Sequence, residues 1–333
     1  MGEIMPAVSI LVPVYNAEKY VRQCLRALCE QTLEDIEIIA INDGSTDSSL
    51  EVLNGFAARD ERIRVIDKTN SGYGASMNLG LDEARGEFIG IVEPDDYPDL
   101  VMFQKLYKMA EKHGCDLVKC NYYEHYEDHE DIQRTFAGFP YRTPFDPVDR
   151  PDIICTVPSI WAALYRKSML DAIGIRFRET PGASYQDTAF TLKAWIAARR
   201  VALVRRPLLH YRMDNPNSSV KSPEKVDAVL DELAEAEAFM HARPERAAAF
   251  SGWFQVGKYG KYRWNYERID PSLRLGFAER MYDEFIAVRN AGELDMRLFG
   301  RNSGPQLEYL LVHGPTAFAS RYSDRLPGDW ESA

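Results

Sequence analysis

The chain has 333 residues and a formal net charge of −11, with 45% hydrophobic and 27% charged residues. Its length allows about two domains and its composition a sizeable core, while the acidic balance offers no counterion release to nucleic acid or anionic lipid. The five cysteines form no CxxC pair and read as reduced core residues rather than metal ligands. No signal peptide opens the chain and no apolar run is long enough to span a bilayer. A cytoplasmic place is therefore expected, with docking at the inner face of the cell membrane left open.

The first apolar run, Val8 to Val12, is too continuous for a strand with one wet face and predicts a buried strand, closed by Pro13-Val14-Tyr15-Asn16. Val21, Cys24, Leu25 and Leu28 at helical spacing predict a helix from about Ala17 to Gln31. A second buried strand, Ile36 to Ile41, ends in the tight turn Asn42-Asp43-Gly44-Ser45-Thr46-Asp47, which caps a helix from Ser48 to Ala58. The strand Ile63 to Ile66 leads through Asn70-Ser71-Gly72-Tyr73-Gly74 into a helix from Ala75 to Ala84. A fourth strand, Phe88 to Val92, delivers Glu93-Pro94-Asp95-Asp96. Strand and helix alternating over short connections predict an α/β fold with a parallel sheet and helices on both faces.

In such sheets ligands bind at the carboxyl ends of the strands. Carboxylates crowded there, with Pro94 restricting the backbone, repel one another unless a cation joins them, and hard oxygen ligands suit Mg²⁺ or Mn²⁺. The acidic tetrapeptide therefore reads as a metal clamp for a diphosphate. On this stretch alone, a solvated turn capping the next helix is an equal account.

That helix is expected from Pro98 to His113, followed by the strand Leu117 to Asn121. From Tyr122 to Arg150 periodicity is lost, and Glu124-His125-Tyr126-Glu127-Asp128-His129-Glu130 reads as a solvated hairpin or loop whose spacing fits no tight metal site. Thr156 to Trp161 leads to a helix over Lys167 to Ile173, and Gln186-Asp187 heads a helix from Thr188 to Ala198. A last strand, Val201 to Val204, is followed by Pro207 to Arg212 and by a polar segment, Met213 to Ser222, read as a mobile loop. The α/β domain is expected over residues 1–222 and a helical region over 223–333. In that region helices are expected over Lys225 to His241, Ala247 to Trp264 and Ser272 to Asn290, and Trp253, Phe254, Tyr259, Tyr262, Trp264 and Tyr266 read as core.

Six pieces taken together resemble, in order and spacing, the family 2 glycosyltransferases, inverting enzymes with the GT-A fold. They are Val12-Pro13-Val14-Tyr15-Asn16, Asn42 to Asp47, Asn70-Ser71-Gly72 with Asn78, Glu93-Pro94-Asp95-Asp96, Trp161 and Gln186-Asp187. The resemblance implies a Rossmann-like, mainly parallel sheet flanked by helices. It also implies that Pro13, Tyr15, Asn16, Asp43, Asn70, Gly72, Asn78, Asp95 and Arg212 bind the donor nucleotide, with Asp43 accepting the uracil N–H. Independently, an acceptor beside an aromatic ring suits a flat pyrimidine with one imide donor. Asp96, with Asp95, is implied to hold a divalent cation, Mn²⁺ or Mg²⁺, that neutralises the leaving diphosphate. Asp187 matches the catalytic base, Trp161 and Gln186 the acceptor side, and Arg212, with His210 and Lys221, a loop over the diphosphate. Glu93 stands where an Asp is common, Asn42 replaces the first Asp of the usual pair, and Gln186 stands where an acid often does.

The activity so implied is transfer of a hexose or acetamidohexose from a UDP-sugar to a hydroxyl of a glycan or lipid-linked acceptor in cell-surface polysaccharide synthesis. The three departures leave a catalytically weakened nucleotide-sugar-binding or scaffold protein as the alternative. A nicotinamide-dependent dehydrogenase is excluded by the first turn, which has no glycine to admit a pyrophosphate. For the helical region an acceptor site, a homodimer contact and a peripheral membrane face stay open.

Overall fold

The structure, a computed structural model, describes residues 5–183, 185–215 and 227–322. The chain divides into two compact units, Met1–Ile153 with Val157–Pro216, and Ile154–Thr156 with Asn217–Ala333. The boundary expected after residue 222, the start of the helix expected from Lys225, and Lys221 lie outside the described residues.

The first unit is one nine-stranded sheet. Its strands are β1 (Val8–Val14), β2 (Ile36–Asp43), β3 (Ile63–Lys68), β4 (Phe88–Ile91), β5 (Tyr97–Pro98), β6 (Leu117–His125), β7 (Glu130–Gln133), β8 (Ala163–Arg166) and β9 (Val201–Arg212). They lie in the order β3-β2-β1-β4-β8-β6-β9-β5, with β7 added to β6. The first four run parallel, β8 is antiparallel to both its neighbours, and β6 and β9 are parallel again. Flanking helices are α1 (Val21–Cys29), α2 (Ser49–Ala57), α3 (Tyr73–Glu83), α4 (Met102–His113), α5 (Lys167–Ile173) and α6 (Gln186–Ala197).

Every residue of β1 and β2 is buried, because both faces of these strands are covered. Each Leu or Ile enclosed there contributes about 1.5–3 kcal/mol. The polar exceptions are paired: Ser9 Oγ donates to Glu37 Oε1 at 2.5 Å, and the Arg85 guanidinium donates to Glu37 Oε2 at 2.8 Å.

Three expectations change. Pro98 does not open a helix but pairs with Leu209 in β5, at the end of the sheet, and α4 begins at Met102. A proline lacks a ladder donor and is tolerated at such an edge. The last strand runs past Val204 to Arg212, its Pro207 absorbed by a register shift opposite Cys120 and Asn121. Strand β8, absent from the sequence reading, inserts four largely buried residues between β4 and β6 with no alternation to announce it.

The second unit is helical, with α7 (Ala228–His241), α8 (Pro244–Arg268), α9 (Arg274–Asn290) and α10 (Ser303–Tyr322), the last kinked at Gly314 ahead of Pro315. Phe254, Tyr259, Tyr262 and Tyr266 lie in its core with Phe250, Phe277 and Phe285, whereas Trp264 is 42% exposed. Lys258 is buried but held between Glu237 at 2.9 Å and Glu284 at 2.6 Å. Among the described residues no helix is long and apolar enough to cross a membrane.

Candidate active site

The carboxyl ends of β1, β2 and β4 lie at one edge of the sheet, as adjacent parallel strands require. Pro13 is buried opposite Ile41, and Tyr15 is 54% exposed. Asn16 is left-handed at φ 48°, and its Oδ1 accepts the Thr46 N–H at 2.8 Å while its own N–H donates to Ser45 Oγ at 3.1 Å. Asn16 thus ties the β1 turn to the β2 turn.

Asp43 is buried and held by its own chain. Its Oδ1 accepts the Ser71 N–H at 2.8 Å and the Lys68 ammonium, and its Oδ2 accepts the Gly72 N–H at 3.0 Å. The Asn70 amide donates to the Asp43 carbonyl at 2.9 Å, and Asn42 donates to Asp67 at 2.7 Å. Asp43 therefore shapes the 68–72 loop, and only a remaining lone pair on Oδ2 could meet a nucleobase.

Asn78 serves a second loop. Its Nδ2 donates to the Phe177 carbonyl and to Glu179 Oε1, both at 3.0 Å, and its Oδ1 accepts the Phe177 N–H at 2.9 Å. The Tyr73 N–H donates to the Gly182 carbonyl at 3.1 Å, and Gln186 Nε2 donates to Thr180 Oγ1 at 2.8 Å. Gly72 sits at φ 93°, and a Cβ on Gly74 would lie 1.8 Å from the Arg178 carbonyl oxygen. Gly72, Asn78 and Gln186 thus seat the 177–183 segment on α3, and that segment leads into α6.

The first turn of α6 presents Asp187, half-buried, with the helix N-terminal amides favouring its negative charge. The Thr188 hydroxyl donates to Asp187 Oδ1 at 3.4 Å. The acidic turn after β4 lies within its electrostatic reach. Burial pushes the Glu93 carboxyl up to about 8, and the charges of Asp95 and Asp187 push the same way, against a 2.8 Å hydrogen bond donated by the Tyr73 hydroxyl. Burial, then the Asp95 charge, holds Asp96 well above the usual carboxylate range.

Asp96 Oδ1 accepts the Arg212 N–H at 2.8 Å, while Oδ2 is buried and has no hydrogen-bond partner among the described residues. Asp95 Oδ2 accepts from Asn215 at 2.8 Å. Two adjacent carboxylates, one with an orphaned oxygen and a strongly penalised charge, form a donor set that a divalent cation would satisfy. Asp95 and Asp96 therefore fit the implied metal. Arg212 acts on the turn itself: its Nε donates to the Asp95 carbonyl at 3.0 Å, its Nη2 donates to Gln23 at 2.7 Å, and its guanidinium lies 4.9 Å from the Tyr20 ring.

Trp161 is 7% exposed, stacked on Tyr211 at 4.9 Å and meeting Tyr122 edge-on at 4.7 Å. Its segment rests on a residue the sequence reading passed over. Lys119, buried in β6, donates to the Pro158 and Ser159 carbonyls at 2.5 and 2.9 Å, and burial pulls its ammonium down to about 7. A lysine inside the apolar stretch Leu117-Val118-Lys119-Cys120 was the available signal. Among the described non-glycine residues, Asn16, Arg142, Ser159 and Tyr185 are left-handed, and all but Arg142 lie within two residues of a candidate site residue.

The sequence pattern of glycosyl transferase family 2 matches residues 9–174. The uncharacterized glycosyltransferase EpsJ of Bacillus subtilis strain 168 is 36% identical over 231 residues, 67% of this chain, and the match spans 65% of that relative's own length. The crystal structure of S. aureus TarS 1–349 with UDP-GlcNAc superimposes with a TM-score of 0.75 at 20% identity, covering 94% of this chain and 89% of that one. The mannosyltransferase PcManGT from Pyrobaculum calidifontis, in complex with GDP-Man and Mn²⁺, gives a TM-score of 0.53 at 14% identity, covering 97% and 89%. At those identities the structural likeness is one of fold, and the fold is GT-A.

Proposed function

Because the chain belongs to glycosyl transferase family 2, we propose that it moves a hexose or acetamidohexose from a UDP-sugar to a hydroxyl of a glycan or lipid-linked acceptor. The observation that carries this reading is the electrostatic coupling of Asp187, at the start of α6, to Glu93 in the acidic turn that follows β4. Support for a uridine donor comes from TarS, whose structure holds UDP-GlcNAc, and PcManGT keeps GDP-sugars in the comparison.

In the mechanism this arrangement favours, an Asp187 carboxylate oxygen accepts the proton of the attacking acceptor hydroxyl. A base within hydrogen-bond reach of that proton contributes roughly 10²–10⁴ in rate. Asp95 and Asp96 would hold a divalent cation, which when bound supplies Lewis-acid neutralisation of the departing diphosphate. The Arg212 backbone and guanidinium fix the turn that presents them. Tyr15, the exposed aromatic at the end of β1, offers a face for the nucleobase beside the remaining lone pair of Asp43. Asn70, Gly72, Asn78 and Gln186 hold the two loops that frame the donor site and act by position.

The test is thermal unfolding with UDP, dTDP, GDP and CDP, each with and without Mn²⁺, on the native chain and on Asp96→Asn. Ligand at a hundred times its dissociation constant should add about 2.7 kcal/mol. A UDP shift that needs Mn²⁺ and Asp96 supports the reading, after which Asp187→Asn should abolish transfer and leave nucleotide binding intact. Absence of a shift with every nucleotide would sink it.

A further inference from the structure

Four neighbouring strands, in the order β7-β6-β9-β5, each place one polar side chain on a common patch. Glu130 of β7 lies directly opposite His125 of β6, His210 of β9 lies opposite Tyr123 of β6, and Tyr97 of β5 lies opposite His210. Side-chain alternation puts His210 on the sheet face opposite to Tyr211, which stacks on Trp161. His125 Nδ1 is 2.9 Å and His210 Nδ1 2.6 Å from the same oxygen, Glu130 Oε1. The three candidate ligand atoms all lie within 4.8 Å of one another. The Tyr97 hydroxyl is 3.3 Å from both His125 Nδ1 and Glu130 Oε1, and its ring stacks on His210 at 4.3 Å.

We propose that His125, Glu130 and His210 bind a transition-metal cation of the Zn²⁺ class, separate from the acidic turn, and that this ion staples the β6–β7 hairpin to β9. Two imidazoles and one carboxylate are a borderline donor set that suits Zn²⁺ or Co²⁺ rather than Mg²⁺, in contrast to the all-oxygen turn at Asp95 and Asp96. A carboxylate only accepts hydrogen bonds, so in the metal-free pair of contacts each Nδ1 carries the proton. On binding, each neutral ring moves its proton to Nε2 and gives the Nδ1 lone pair to the metal, while Glu130 exchanges two N–H donors for one cation. The rings are pre-oriented: His210 is stacked between Tyr97 at 4.3 Å and Tyr123 at 4.8 Å, Tyr97 meets His125 edge-on at 5.4 Å, and the Tyr97 hydroxyl is placed to donate a supporting hydrogen bond to the Glu130 ligand. The ligands are partly exposed, with side-chain accessibilities of 20% for His125 and 32% for Glu130, so a cation can enter. His210 is two residues from Arg212, whose N–H meets Asp96, so the staple also steadies the strand end that supports the acidic turn.

The experiment is a Co²⁺ titration of the full chain without an affinity tag, in excess Mg²⁺ to occupy the acidic turn, read by visible absorption and competed with Zn²⁺. A saturating four- or five-coordinate cobalt spectrum, displaced by Zn²⁺ and retained in Asp96→Asn, is expected. His210→Gln and His125→Asn should each weaken Co²⁺ binding by a hundredfold or more and Tyr97→Phe by about tenfold, with near-ultraviolet circular dichroism unchanged. A spectrum that survives both histidine variants, or that vanishes in Asp96→Asn, would overturn the proposal, as would the absence of any cobalt spectrum.

Discussion

Replacing Asp43 by Ala tests whether this carboxylate is first of all a scaffold. The side chain is 7% exposed and accepts two backbone amides, from Ser71 and Gly72, as well as the Lys68 ammonium. Hydrogen bonds to a charged group are worth about 1.5–3 kcal/mol each, and removing the acceptor leaves the amides and the lysine to find water. If the loop relaxes enough to recover part of that, the net loss is about 3–5 kcal/mol, a large share of a typical domain's stability. Asn at the same position keeps one acceptor oxygen and should lose about half as much. Urea unfolding of the ligand-free chain measures this directly, through a lowered midpoint at unchanged slope. A loss under about 1 kcal/mol for Asp43→Ala would refute the scaffold role and return Asp43 to the nucleobase alone.

Three further perturbations separate positioning from chemistry. Arg212→Lys cannot reproduce the fork that joins the Asp95 carbonyl to Gln23, so the Mn²⁺-dependent stabilisation by nucleotide should shrink by about 1–2 kcal/mol; a shift of native size would count against the clamp. Lys119→Met should alter pH dependence: with the native ammonium lowered from 10.5 to about 7, the unfolded chain holds the extra proton between those values, so wild-type stability relative to the variant must rise by about 1.4 kcal/mol per pH unit across that window and stay level below it. A level difference through pH 7–10 in denaturant titrations would contradict that. Gly74→Ala drives a methyl against the Arg178 carbonyl and should cost at least about 1–3 kcal/mol while depressing transfer further, whereas Gly55→Ala in α2, with open space around it, should be neutral or stabilising; equal effects from the two would refute the seating of the 177–183 segment.

The sequence alone determined the elements whose signal is local. Continuous apolar runs marked β1, β2 and β4 because a strand covered on both faces leaves no solvent-facing position, and polar residues there, such as Ser9 and Glu37, must be paired. The acidic turn and Asp187 were legible because each follows a strand or opens a helix, and six such pieces in order carried the family. Tertiary structure decided how the polar side chains are spent. Asn78 meets Phe177 across 99 residues of sequence, and Asp43 meets Gly72 across 29. Each looks from its motif like a ligand contact, and its side chain also holds a loop. His125 and Glu130 go the other way: they read as part of a solvated hairpin, and β9 brings His210 beside them. Spacing along a chain fixes which face a residue takes within its own strand or helix, but which strands become neighbours, and in what register, is set by burial of the whole sheet, so contacts between distant strands exist only once it has formed.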